Sequence, residues 1–585
     1  MKFGLYLEQN WDTDGASASC FSGCFDYNRD VNNPGDTNWA FSNALLGNFR
    51  RYRETNARPR YQGKDTIWEW FAQDTWKVNR KLTLTYGMRF AWFTPWYLNK
   101  GPGAAFVQDR YDPSQVPPLY RPAIGPNGQR LAQDPTTGQL FPEVYIGAFA
   151  AGSYSFPGQV LASDTSYPKG FREQQGIQPT PRFGFAYDLF GNGKTAIRGG
   201  FGTMKQLAPT YSAYITNTVD SPPGKYQPQI YYGNMNTFLR QPGLLFPTGT
   251  YAYQRNDIVP SIYRFSFGIQ HELRFGTVID ASYVGNVARH LIQGYDPNVV
   301  PYGAHFQPQN IDPTTGSALP DDFYRPIPGY NSITTVIPSG TSNYHSLQVA
   351  INRRFSRGVS FGLSYTWSKT MNTGANDTDG LATYRPWRVW NYGPSSFDQT
   401  QMLVVNYVWD LPKLSKFANN AVVRGVFDNW QIAGVTSFSS GLPFPINVDT
   451  TDGADIAGGG DGWRAMLIGQ PQLSHGERTL DRWFNTAAFG RPPQGYYGDA
   501  PVYPVRGPGL NNWDMTIMKQ FPLWSEVRRL QFRAEMYNAW NHPNFSHVDN
   551  SALFDESGQQ VSSTFGQLDG TRSARVIQLS LRFTF

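Results

Sequence analysis

Few residues in this chain have types and spacings that could do chemistry. Its two cysteines, Cys20 and Cys24, stand four apart in SCFSGCFDYN. A C-x-x-x-C pair alone cannot supply four zinc ligands, and no His lies near it. The pair reads as a small loop-closing disulfide of an oxidising compartment. GNGKT at Gly191–Thr195 ends like a phosphate loop, but Asp188 stands where that pattern needs its first Gly. It also joins two alternating stretches, so a hairpin turn is expected, with Gly and Asn supplying positive φ. His271, His290, His305, His345, His475, His542 and His547 show no metal-ligand spacing, and Pro543 separates the last two. DTTDGADIAGGGDGW carries Asp449, Asp452, Asp455 and Asp461. Calcium could use such oxygens, yet the spacing is not that of an EF-hand, and a solvated Gly/Asp loop is the expected reading. With no G-x-S-x-G and no assignable acid–base pair, no catalytic residue and no cofactor is expected.

The elements say more. The chain has 585 residues, 58 Gly, 43 Pro, 16% aromatic and only 16% charged side chains, against about 25% charged in an average soluble domain. So many aromatic residues argue against disorder, and 58 Gly cannot supply an every-third-residue repeat. No apolar run of about eighteen residues exists to form a membrane helix, and the mean hydropathy is −0.47. The formal net charge of +6 is spread along the chain with no basic stripe, so nucleic acid is not an expected partner. MKFGLYLEQNW has one Lys and no long apolar stretch, and does not read as a signal peptide.

Period two dominates. Val359, Phe361, Leu363, Tyr365 and Trp367 alternate with Ser360, Gly362, Ser364, Thr366 and Ser368, giving one greasy and one wet strand face. Ile577, Leu579, Leu581, Phe583 and Phe585 alternate with Gln578, Ser580, Arg582 and Thr584. The same alternation holds over 82–92 and 530–537, which puts Gln531, Arg533 and Glu535 on a polar face. Further strands read at about 2–9, 62–78, 181–190, 193–205, 258–271, 276–287, 344–356, 397–410, 429–441 and 512–521. That makes about fourteen strands, each near the ten residues that cross a bilayer when tilted. Trp68, Trp70, Trp76, Trp92, Trp96, Trp409, Trp430, Trp513 and Trp540 lie near strand ends, as interfacial girdles require.

Connections alternate between tight ones, such as 79–80, 190–193, 272–275, 357–358 and 522–527, and long ones at about 94–180, 206–257, 288–343, 371–396, 442–511 and 541–573. One, 411–428, is intermediate. Tight turns on one side and long loops on the other mark an antiparallel transmembrane barrel. A soluble sandwich, for example a secreted sugar-binding protein, would share the alternation but has no reason to sort its loops. The Pro, Gly and Tyr content of the long loops implies that they pack on one another at the barrel mouth.

Several stretches are familiar as wholes. RGPGLNNWDMTIMKQFPL (Arg506–Leu523), LQFRAEMYNAWNHPNF (Leu530–Phe545), FGQL (Phe565–Leu568) and the terminal SARVIQLSLRFTF resemble the C-terminal barrel of Oar-like TonB-dependent transporters. WEWFAQDTWKVNRKLTLTYGMRF (Trp68–Phe90), ALLGNF (Ala44–Phe49) and WFNTAAF (Trp483–Phe489) resemble the same family. The resemblance spans essentially the whole of residues 1–585. It implies a single all-β domain, an outer-membrane β-barrel of a Gram-negative bacterium that takes up or translocates a large solute. Leu581, Phe583 and Phe585 match the C-terminal signature read by the barrel-assembly machinery. The C-terminus and short turns would be periplasmic, and the long loops with Cys20 and Cys24 extracellular. Gln531, Arg533, Glu535, Gln578 and Arg582 would face the lumen, toward plug or solute. Members carry about twenty-two strands, a plug and a TonB box. About fourteen strands and no plug are readable here, so the expectation is the barrel portion of an N-terminally truncated chain, reaching TonB only through the missing part. A plugless passive pore or surface adhesin is the alternative.

Overall fold

The computed structural model describes the chain apart from residues 16–18, 151–153, 207–211, 257, 375–380, 384–385, 419 and 524. Fourteen strands build one curved wall. They are β1 (Lys2–Gly15), β2 (Arg60–Lys77), β3 (Leu82–Phe93), β4 (Gln178–Asp188), β5 (Thr195–Lys205), β6 (Ser261–Glu272) and β7 (Thr277–Tyr295), then β8 (Tyr330–Ser356), β9 (Val359–Asn372), β10 (Gln401–Asp410), β11 (Trp430–Ser439), β12 (Leu510–Leu523), β13 (Ser525–Tyr537) and β14 (Val576–Thr584). Each pairs antiparallel with the next along the chain, from Leu5 opposite Trp70 to Ala534 opposite Leu579. In these registers β1 pairs only with β2, and β14 only with β13, among the described residues. Among the described residues no helix is long and apolar enough to cross a membrane.

The register keeps the alternation in step from strand to strand, because a one-residue slip would turn every side chain over. Leu363 stands between Ile351 and Val405, and Phe201 between Phe183 and Phe265. These apolar side chains face away from the concave side and stay uncovered: Leu581 is 66% and Leu5 68% exposed. In water that exposure would cost about 25 cal/mol per Å²; in hydrocarbon it costs nothing. The Trp positions form two bands. Trp76, Trp409 and Trp430 lie near the tight-turn end, and Trp68, Trp92, Trp367 and Trp513 near the other. Trp540 leaves the wall and meets Trp513 edge-on at 6.3 Å.

The turns follow from their residues. Between β4 and β5 the Asp188 carboxylate accepts the backbone N–H groups of Gly191 and Gly193 at 2.9 and 2.8 Å. Both glycines have φ above +70°, the conformation Gly adopts without strain. GNGKT is thus a hairpin connection.

Two expectations change. The stretch 288–343 is not all loop: β7 and β8 run on as a ribbon past β6, whose pairing stops at Ser261 opposite Arg289. Its far end pairs in parallel with Thr248–Tyr253, so its alternation serves packing between loops instead of lipid contact. The stretch 449–463 is not uniformly solvated, because Ile456 and Ala457 are buried at 2% and 3% exposure.

Most of the tightly buried side chains lie beyond the membrane-spanning part of the wall. One core, around the β7–β8 ribbon, packs Ala105, Val107, Phe171, Tyr214, Ile292 and Val336, next to a second containing Phe106, Phe149, Tyr154, Tyr330 and Ile333. Another joins the β11–β12 and β13–β14 loops through Phe484, Phe489, Phe554 and Phe565. There Asn447–Thr450 pairs in parallel with Ser551–Phe554.

Candidate functional site: the lumen wall and its loop cap

Alternation puts the second side chain of every pair on the concave face, and polar residues occupy it. On β13 and β14, Gln531 stands opposite Arg582, Arg533 opposite Ser580, and Glu535 opposite Gln578. The structure therefore gathers Gln531, Arg533, Glu535, Gln578 and Arg582 on one patch. Arg533 Nη1 donates to Glu535 Oε1 at 3.3 Å, and its Nε points to Met518 Sδ at 3.4 Å. Leu581 and Phe583 lie on the opposite, apolar face beside Phe532 and Leu530, and Phe583 stacks on Phe585 at 5.9 Å.

The same parity reveals residues that the reading of the C-terminal motifs did not reach. Gly87, Arg182, Gly202, Arg264 and Asn286 form one row across β3 to β7, and Arg198 lies on the same face between Ala186 and Gly268. Strand spacing sets Arg182 and Arg264 on the order of 10 Å apart. Their directly paired neighbours on that face are Gly87, Gly202, Ala186, Gly268 and Asn286, so no carboxylate stands directly opposite any of them. All three are exposed, and none makes an ion pair among the described residues, whereas Arg89 nearby is held by Glu69. Three uncompensated guanidinium groups on a small-residue floor attract anionic groups, with the fork geometry that suits carboxylate or phosphate. Period two alone locates them.

The loop cap stands over the other end. Its two bodies meet where 300–306 crosses 455–460. His305 Nε2 lies 2.9 Å from Asp321 Oδ1, its Nδ1 contacts Asp455, and Tyr302 packs on Tyr497 at 4.8 Å. Gly303 N–H donates to Ala457 at 2.8 Å and Gly460 N–H to Val300 at 2.7 Å. Gly458 has φ +63°, and a Cβ there would meet the Phe306 ring at 2.4 Å. Only Gly allows this approach.

At the seam lies a cavity of about 670 Å³, lined among others by Asp296, Asn372, Thr373, Asn391, Asp461 and Arg464. Arg464 stacks 4.2 Å over Trp390 and donates to its carbonyl at 3.1 Å. Burial pushes its guanidinium down to about 10.

The four aspartates of the 449–461 stretch diverge. Asp449 caps Thr450 N–H, Asp452 pairs with Arg491, Asp455 with His305, and Asp461 accepts from Thr383. No group of three His, Cys, Asp or Glu side chains able to hold a metal occurs among the described residues. Cys20 and Cys24 are joined, with Cα atoms 5.0 Å apart, in the β1–β2 loop.

The sequence profile of a family described as an outer membrane beta barrel domain matches residues 1–578. No curated protein matches the chain. Among solved structures it is similar to the outer membrane transporter YddB from Escherichia coli, at 9% identity and a TM-score of 0.38, over 90% of this chain and 55% of that one. The ferric-catecholate import receptor Fiu from K12 E. coli gives 9%, 0.37, 91% and 50%. The FrpB iron transporter from Neisseria meningitidis gives 10%, 0.33, 92% and 60%. The chain thus spans between half and three-fifths of these proteins' lengths. An apolar outer face, paired Trp bands, a polar concave face and a family match over almost every residue lead to one conclusion: this chain belongs to the outer membrane beta barrel domain family and resides in the outer membrane.

Proposed function

We propose that the chain forms wall and mouth of an outer-membrane active transporter, TonB-dependent and Oar-like in its barrel motifs, that takes up or translocates a large solute. The observation that carries this reading is the folded cap. Long loops with their own apolar cores stand over one end of a lumen whose wall presents unpaired Arg182, Arg198 and Arg264. A passive pore needs no such cap; a selective mouth does. On this reading the cap is extracellular and selects the solute at the seam cavity. The lumen patch of Gln531, Arg533, Glu535, Gln578 and Arg582 and the three arginines contact plug or solute. No residue of the chain is catalytic, and no cofactor is assigned. Coupling to TonB belongs to parts of the complete transporter other than this barrel. Further strands would meet β1 and β14, whose edges leave backbone groups that lipid cannot satisfy. Leu581, Phe583 and Phe585 serve recognition by the barrel-assembly machinery.

Planar-bilayer recording of the purified chain tests the reading. A transporter wall gives no stable unitary conductance. A reproducible open channel of fixed size would replace this reading with the passive pore.

A further inference from the structure

The tight-turn end has one connection out of keeping with the rest, residues 411–429 between β10 and β11. Its neighbours there are the turns at 78–81, 189–194, 273–276 and 357–358. This one contains a helix, α1 (Ala421–Phe427).

The segment is fixed to the wall at both ends. Leu411 N–H donates to the Trp430 carbonyl at 2.9 Å, and Trp430 Nε1 donates to the Val426 carbonyl at 2.8 Å. Lys519 Nζ donates to the Asp428 carbonyl at 2.6 Å. Within the segment, the Asn420 side chain caps α1 by accepting from Val423 N–H at 2.9 Å. The Asp428 carboxylate takes Ser415 N–H at 3.0 Å and its hydroxyl. These anchors also say where the segment lies. Trp430 and Lys519 are paired, and they continue the row-parity of Ile432 and Ile517. They therefore stand on the outer, apolar face, and a chain hydrogen-bonded to both lies on the lipid side of the wall, not under the lumen.

Its own side chains are arranged for that position. Phe417 is 87%, Val422 69%, Val426 49%, Phe427 49% and Leu414 45% exposed. Val422 and Val426 share one side of α1 at the i, i+4 spacing, and Phe427 follows at its last position. Lys413, Lys416 and Arg424 are exposed and form no ion pair among the described residues, and the one carboxylate, Asp428, is turned inward onto Ser415. Exposed apolar side chains beside unpaired cations on a short amphipathic segment have the makeup of an interfacial anchor, which buries its apolar face about 5–10 Å into the headgroup–acyl boundary. The patch is continuous with the lipid-facing surface through Trp430 and Trp409. We infer that 411–429 is a membrane-surface binding element, seated in the leaflet at the tight-turn end, with Phe417, Val422, Val426 and Phe427 in the acyl boundary and Lys413, Lys416 and Arg424 on anionic phospholipid headgroups.

Spin labels measure this directly in the full chain. With Cys20 and Cys24 replaced by Ser, single cysteines are placed as Phe417→Cys, Val426→Cys, Asn192→Cys in a hydrophilic turn, and Leu363→Cys on the outer face. The labelled chains are reconstituted in vesicles of phosphatidylethanolamine with phosphatidylglycerol, and in phosphatidylcholine vesicles. Labels at 417 and 426 are expected to collide with oxygen more than with a water-soluble nickel chelate, at a depth between those of 192 and 363. The triple change Lys413→Glu, Lys416→Glu and Arg424→Glu is expected to shift both labels toward water in the anionic vesicles. Nickel accessibility at 417 and 426 equal to that at 192 overturns the proposal. So does shielding from both reagents, which means the patch is covered by protein. Labels that sit deep but ignore the triple change overturn the headgroup part. The same labels read in outer membranes isolated from producing cells give a second measurement that does not rely on reconstitution.

Discussion

Leu363 and Ser364 are adjacent in sequence and lie on opposite faces of the wall, between Ile351 and Val405 and between Ala350 and Val404 respectively. Leu363→Arg places a charge in hydrocarbon and should cost about 2–4 kcal/mol if it lies near the midplane. Ser364→Arg points inward and should cost much less, because lumen substitutions chiefly tune selectivity. Leu581→Arg and Ser580→Arg should behave likewise. Urea titrations of the lipid-reconstituted variants measure the difference, and equal costs on both faces would refute the assignment of faces. The arginines make a second prediction. Phenylglyoxal should modify Arg182, Arg198 and Arg264 faster than Arg89, which Glu69 holds, and peptide mass mapping ranks the four. These three positions were open to anyone counting by twos. What sequence could not show is that none of them has a carboxylate partner, since Arg89 shares their parity and its pairing depends on a neighbouring strand.

Among the elements, strands were legible and loop bodies were not. Each of the fourteen strands announces itself through side chains two apart, a purely local signal. The cap is held by contacts such as Asn447–Thr450 on Ser551–Phe554, between segments separated by two whole strands. No periodicity marks such pairs, and the ribbon of β7 and β8 reads as loop because both its faces are packed. The Gly458–Gly460 run looks solvated for the same reason: glycines that allow close approach resemble glycines that allow freedom. Gly458→Ala should break the seam, with strain of order 1–3 kcal/mol. Hydrogen exchange should rise at 300–306 and 456–460 and stay unchanged in β9 and β10. The cap should also respond to acid. Burial pushes the Asp312 carboxyl up, but Arg130 and Thr314 outweigh it and hold it below the ordinary carboxylate range. A depressed folded value stabilises the loop above the unfolded pKa of about 3.9. That contribution is lost as pH falls through the lower, folded value. Protection factors in 308–325, which remove the intrinsic pH dependence of amide exchange, should therefore hold to about pH 4 and fall below it, while Asp312→Asn should lose protection already at neutral pH.

For the molecule as a whole, exposed Leu5, Leu579 and Leu581 predict that the chain stays dispersed only in detergent or lipid. Sedimentation of a monodisperse species without either would remove it from the membrane altogether. The wall's class, its run of short and long connections and the shared face of Gln531, Arg533, Glu535, Gln578 and Arg582 followed from alternation and connection lengths. The cap's architecture and the seam cavity did not, because they arise only when distant loops meet.

The shared core of the β11–β12 and β13–β14 loops sets an order of events during biogenesis. Phe484 and Phe489 come from one loop and Phe565 from the other, and the edge-on contacts of Phe565 with both rings form only when both loops are present. Between them runs the hairpin of β12 and β13. Each loop has pairings of its own, but the core they share can close only once that hairpin and both loops are in place. Non-local contacts of this kind form slowly. A newly inserted barrel thus passes through an interval in which its strands are paired and this core is still open to proteases.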